Sequence, residues 1–168
     1  MIDRSTAPLL KTLALFRYAA LTVVVIACNT QPRDVIALLP TVVAGRTVTY
    51  QVEHGLDPFG EPGPITAVLA KEGRSPDDLM TARAELNDPH LWVMAFRAPG
   101  VPPGRFVDFI AGDLDRWTDT IGDKSVMRVA PSGVDHSRAG YLYVAVDTMV
   151  WIEAEVPAQA VELLQQLP

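Results

Sequence analysis

The chain's three histidines are the side chains best suited to bind a metal ion or to transfer a proton. Each has an aspartate close to it in the sequence, and the pairs are His54 with Asp57, His90 with Asp88, and His136 with Asp135. Imidazole and carboxylate can together ligate zinc, or act as a general base and the group that orients it. The sequence contains no HExxH or other paired-histidine spacing. A shared metal site and ordinary solvated loop histidines are therefore both compatible with the sequence.

Other catalytic patterns are weaker. The serines at 125, 132 and 137 lack the GxSxG elbow of a hydrolase nucleophile, and the acidic stretch DLDRWTDTIGD lacks the ligand spacing of a calcium loop. No glycine-rich phosphate loop is present. We expect no cofactor and a non-enzymatic binding or structural role. The alternative is an extracytoplasmic metal-assisted hydrolase that uses the loop histidines and aspartates.

The length, net charge and cysteine content of the chain exclude several kinds of domain, partner and metal site. A chain of 168 residues with 49% hydrophobic residues can bury one core and is short for two domains. The formal net charge of −6 argues against a nucleic-acid partner, because phosphate binding needs a basic face. A single cysteine excludes an intramolecular disulfide and a multi-cysteine metal site.

That cysteine, Cys28, follows a pattern typical of an export signal. Arg4, Lys11 and Arg17 precede an uncharged apolar run that ends at the cysteine. The run is too short for a bilayer core, which takes about 20 residues, so a secretory signal is favoured over a membrane span. The alternatives are a helix over residues 9 to 27 that anchors a subunit of a larger complex, and a buried free cysteine in an apolar helix.

The tetrapeptide VIAC at 25–28 resembles the bacterial lipobox. The resemblance implies that the Cys28 thiol receives a diacylglyceryl group and that the chain is cut just before this residue. Further acylation, as with palmitate, would make the attachment stable, since a single acyl chain gives only marginal membrane binding. We therefore expect a signal peptide over residues 1–27, a tether over 28–46, and location in the cell envelope on the outer side of a bacterial membrane.

The remaining chain, 47–168, predicts a single α+β domain. Alternating apolar residues predict a strand at 47–53 and a hairpin of strands 79–86 and 91–96 around NDPH. Helices are predicted from Pro64, from Phe106 to Trp117, and from Pro157. The order of elements mixes hairpins with helices and repeats no βαβ unit. It indicates a two-layer fold in which a largely antiparallel sheet carries about three helices on one face.

A second predicted hairpin, YLYVAV and MVWIEAEV, supplies the candidate binding surface. If one sheet face is uncovered, Tyr141, Tyr143 and Trp151 would form an exposed aromatic strip. Such a strip would bind a protein or a small apolar ligand.

The segments SPDDL (75–79), VMAFRAPGV (93–101) and the run from residue 141 to 168 resemble a group of uncharacterised bacterial lipoprotein-type secreted proteins. The resemblance covers somewhat over half of the chain and contains no catalytic signature. It implies an extracytoplasmic location and an α+β domain, and it implies no activity.

Overall fold

The computed structural model describes residues 34–55, 63–112, 114–130 and 139–168. These residues form nine strands, three α-helices and two short 3₁₀ turns, together with the loops that connect them. The strands are β1 Val42–Val43, β2 Arg46–Thr47, β3 Gln51–His54, β4 Met80–Leu86, β5 Leu91–Arg97, β6 Arg116–Ile121, β7 Lys124–Val129, β8 Ala139–Ala145 and β9 Thr148–Ala154. The helices are α1 Pro64–Lys71, α2 Gly104–Ala111 and α3 Pro157–Gln166, and the 3₁₀ turns are Val35–Leu38 and Pro76–Asp78.

Seven strands form one antiparallel sheet in the order β3-β4-β5-β9-β8-β7-β6, and β1 and β2 form a small separate hairpin. Strands β3, β4 and β5 follow one another in the sheet, α2 connects β5 to β6, and strands β6 to β9 form a meander. That meander brings β9 alongside β5, where Val93 pairs with Ile152. Strands β6 and β3 are the two edges of the sheet.

The two faces of the sheet carry separate cores. On β5 and β9 there are buried residues on both faces of the sheet, because the side chains of successive strand residues point to opposite faces. We call the face that carries Val93 and Ile152 the α3 face, because these residues cluster with Leu163 and Leu164 of α3. We call the face that carries Phe96 the α2 face; its cluster contains residues from α1 and α2, including Phe106.

The predicted fold class is confirmed at the level of an α+β protein with a mostly antiparallel sheet and three helices. The predicted two-layer packing with all helices on one face is not confirmed. Because α3 contributes to one cluster and α1 and α2 to the other, helices lie against both faces. Strands β5 and β9 carry apolar residues on both of their faces, and covering these residues requires helices on both sides of the sheet.

The packed part of the chain begins earlier than the sequence predicted. Val35, Leu39 and Val43 are buried in the cluster of the α3 face. The 3₁₀ turn that begins at Val35 is capped by Asp34, whose carboxylate accepts a hydrogen bond from the Ile36 amide. The predicted tether therefore does not extend to residue 46, because Val35, Leu39 and Val43 are part of the core.

Helix α2 is shorter than the predicted helix from Phe106 to Trp117. It ends at Ala111, and Gly112 follows with φ +42° and ψ −125°, a conformation that suits glycine. The chain then enters β6, where Trp117 is 47% exposed instead of packing in a helix. Both predicted hairpins are confirmed as β4–β5 and β8–β9.

Candidate functional site

Of the three histidines predicted as metal ligands, the two that the structure describes, His54 and His90, do not come together. His54 ends β3 and pairs with Met80 at the start of β4, whereas His90 precedes Leu91 at the other end of the β4–β5 hairpin. At about 3.3 Å per residue along β4, these two positions are roughly 20 Å apart. His136 and Cys28 lie outside the described residues.

His90 has structural contacts instead. Its Nδ1 lies 3.6 Å from a carboxylate oxygen of Glu85, and its backbone exchanges hydrogen bonds with Glu155. Within the described ranges, no three histidine, cysteine, aspartate or glutamate side chains are close enough to hold a metal ion together. The two described histidines thus give the hydrolase alternative no shared site.

The three aromatic residues predicted to form an exposed strip lie on different faces. Tyr141 is 3% exposed and belongs to the cluster of the α3 face, and Tyr143 on the same face donates a hydrogen bond to the Pro168 carbonyl. Trp151 packs against the opposite cluster and meets Trp92 edge-to-face, with 4.9 Å between ring centroids. Since β8 residue 142 pairs with Trp151, residues 141 and 143 must point to the other side.

A groove on the α2 face is the best candidate for a binding site. It lies between the first half of α2 and strands β6, β7 and β8, and its volume is about 630 Å³. This volume is within the range of about 300–1,000 Å³ that is typical of small-molecule sites. The groove exists because α2 has only eight residues and leaves this part of the sheet uncovered. Its lining residues are Pro102, Gly104, Arg105, Val107, Asp108, Thr118, Ser125, Val126, Met127, Leu142 and Val144.

The sheet register arranges the polarity of the groove floor. Leu142 on β8 pairs with Met127 on β7, which pairs with Thr118 on the edge strand β6. One row across the three strands therefore changes from aliphatic to hydroxyl-bearing toward the edge of the sheet. Val144, two residues beyond Leu142 on the same face of β8, is 41% exposed. An exposed valine beside a buried leucine is the apolar surface that a ligand would cover.

The charged side chains at the rim are held by ion pairs. Arg105 on α2 lies 3.0 Å from Glu72 at the end of α1. Asp108, one turn further along α2, lies 3.7 Å from Arg116 at the start of β6. These pairs connect α2 to its neighbours on both sides, and they leave the rim with balanced charge.

Beyond the groove, Arg128 lies close to two aromatic rings on the α3 face. The Arg128 guanidinium carbon lies 5.3 Å from the ring centroids of both Trp117 and Tyr141, and the guanidinium lies 3.6 Å from Asp119. Cation–π contacts with the two rings and the ion pair with the carboxylate together stabilise this charge. Within the stretch DLDRWTDTIGD, Asp119 and Asp123 thus form surface ion pairs with Arg128 and Lys124.

Sequence reasoning missed the groove because its walls come from distant segments. Val107 belongs to α2, and Leu142 and Val144 belong to a strand more than 30 residues later. The one local signal is the alternation on β8, which gives Val144 the same face as Leu142. Reading it as a site requires knowing how far α2 reaches.

None of the helices in the described ranges combines the length and the apolar character that crossing a membrane requires. Comparisons with models of known protein families, with curated protein sequences and with solved structures find no match to this chain.

Proposed function

We propose that this protein is a lipid-anchored, extracytoplasmic, non-enzymatic binding protein whose α+β domain holds a small apolar ligand in the groove between α2 and strands β6 to β8. The observation that supports binding is the exposed Val144 with the partly exposed Met127, beside the buried Leu142, in a concave site of suitable size. Covering exposed aliphatic surface contributes about 25 cal/mol per Å².

The proposed location is supported by the sequence of the first 28 residues. A basic segment, a short apolar run and the lipobox-like VIAC are together typical of a lipoprotein signal. Removing residues 1–27 would take away three basic residues and one acidic residue, which makes the remaining chain more acidic than the whole. Such a chain would gain little from attraction to anionic lipid, so its membrane attachment would depend on acyl chains at Cys28.

Photolabelling tests the binding proposal. The full chain, reconstituted in lipid nanodiscs, is exposed to a plain alkane that carries a diazirine, and the labelled peptides are mapped by mass spectrometry. We expect saturable labelling of peptides from α2 and β8. Val144→Asp should abolish this labelling, because a carboxylate in the groove floor repels an apolar chain.

The matched control is Val52→Asp. Val52 is a strand valine of similar exposure, 38% against 41%, and it lies on the edge strand β3, outside the groove. Labelling of α2 and β8 that is equal in the two variants would refute the proposed binding site.

A further inference from the structure

The polarity of the groove identifies the class of ligand, an inference that rests on the proposed function. Along the floor, Leu142 is succeeded by Met127 and then by Thr118 at the sheet edge. Ser125 on β7 adds a second exposed hydroxyl to the lining near that edge. On the α2 wall, Val107 is 8% exposed and Asp108 is exposed. The groove therefore has an aliphatic inner part and a hydroxyl-bearing outer part.

The charges at the rim disfavour an ionic head group. Arg105 and Asp108 each already have an opposite charge nearby, Glu72 at 3.0 Å and Arg116 at 3.7 Å, so an ionic head group would compete with these partners. Since Arg105 and Asp108 are both largely exposed to solvent, an ionic head group would gain little from either charge. An uncharged head group needs only hydrogen bonds, which Thr118 and Ser125 can donate and accept.

The walls also favour a flexible chain over a flat ring system. Among the described residues that line the groove, the apolar members are aliphatic side chains and a methionine, and no aromatic ring is present for stacking. The groove is an open trough between a helix and a sheet, a shape that an extended chain fills along its length.

We infer that the groove binds a neutral single-chain amphiphile. Its saturated chain covers Val144 and Met127, the exposed apolar side chains of the floor, and its hydroxyl-bearing, uncharged head lies at the sheet edge beside Thr118 and Ser125.

The test uses diazirine-bearing alkyl probes of equal chain length with three head groups: glycerol ester, carboxylate and trimethylammonium. Each is titrated on the full chain in nanodiscs, and labelling of α2 and β8 peptides is quantified. We expect the glycerol ester to reach half-saturation at about one tenth of the concentration that either ionic probe needs. Thr118→Val should raise that concentration about fivefold for the glycerol ester alone, through loss of a hydrogen bond.

Thr120→Val is the matched control, because Thr120 is an exposed threonine on the same face of β6 and is not part of the groove lining. Equal or tighter labelling by an ionic probe would overturn the inferred head group, and so would equal effects of the two threonine variants. If the plain alkane still labels the groove in a Val144-dependent manner, the proposed binding function stands even when the inferred head group is wrong. If no probe labels the groove, the proposed function and the inferred ligand class both fail.

Discussion

The most completely buried charge among the described residues is on Arg97 at the end of β5. Its side chain is 6% exposed, and its Nε and Nη2 donate to the same carboxylate oxygen of Asp147 at 2.9 and 2.7 Å. Asp147 is the second residue of the two-residue turn between β8 and β9. The ion pair therefore connects this turn to the end of a neighbouring hairpin.

Removing Asp147 should destabilise the fold. Asp147→Ala leaves the Arg97 guanidinium buried without its carboxylate, and we expect the free energy of unfolding to fall by about 2–3 kcal/mol. Urea denaturation measures the change. Asp123→Ala is the control, since Asp123 occupies the same position in the β6–β7 turn but is 92% exposed, 3.4 Å from Lys124. Equal effects of the two variants would show that burial of the Arg97 guanidinium is unimportant.

Tyr50 should make stability depend on pH under alkaline conditions. Burial raises the pKa of its hydroxyl well above the ordinary value of about 10, and this hydroxyl donates to the Pro40 carbonyl at 3.0 Å. The folded state thus holds this proton more tightly than the unfolded state. The contribution to stability is complete below pH about 10 and is lost as the pH rises toward the raised pKa.

Denaturation curves between neutral pH and pH about 11 test this expectation. The free energy of unfolding of the wild type should decline more steeply above pH about 10 than that of Tyr50→Phe. Parallel pH profiles for the two proteins would mean that burial of Tyr50 does not shift its titration.

At the residue scale, the predicted aromatic strip fails because side chains alternate along both strands of the hairpin. The β8–β9 turn is Val146–Asp147, and its register pairs Trp151 with Leu142, so Tyr141 and Tyr143 lie on the opposite face. The turn Asp147–Thr148 that YLYVAV and MVWIEAEV imply would pair Trp151 with Val144 and give the same faces. Alternation across a two-residue turn, applied to the sequence, already argues against the strip.

The elements themselves were largely predictable, because their signals are local. Proline opens α1 and α3 at Pro64 and Pro157, and the β-branched and aromatic runs on both sides of NDPH specify the β4–β5 hairpin. The exception is α2. Apolar residues continue at helical spacing to Trp117, but the backbone of Gly112 ends the helix and the chain becomes strand β6.

The segment before β1 provides a prediction at the element scale. Val35 is 1% exposed and lies in the core cluster of the α3 face, so Val35→Ala should lower the free energy of unfolding by about 1–3 kcal/mol. Its neighbour Ile36 is 37% exposed, and Ile36→Ala should have a much smaller effect. Thermal or urea unfolding distinguishes the two variants. Two equally mild changes would restore the predicted tether up to residue 46.

At the scale of the whole molecule, the strand order could not be read from the sequence. Strand β9 pairs with β5 across an intervening helix and three strands, and no local pattern specifies such a distant partner. The same pairing buries both faces of the central strands, which is why α3 lies on one face and α1 and α2 on the other. The groove follows from this arrangement, as α2 alone is too short to cover β6 to β8.

The proposed anchor and the proposed binding groove depend on different residues and can be tested separately. The anchor depends on Cys28 and the residues before it, and the groove depends on α2, β6, β7 and β8. Cys28→Ser should therefore abolish membrane attachment and leave groove labelling unchanged, whereas Val144→Asp should do the reverse.

Mass spectrometry of the N-terminal peptide from the protein's native cells tests the central claim most directly. We expect the mature chain to begin at Cys28 and to carry a diacylglyceryl group on its sulfur. A chain that begins at Met1 with an unmodified Cys28 thiol would contradict the proposed anchoring and location.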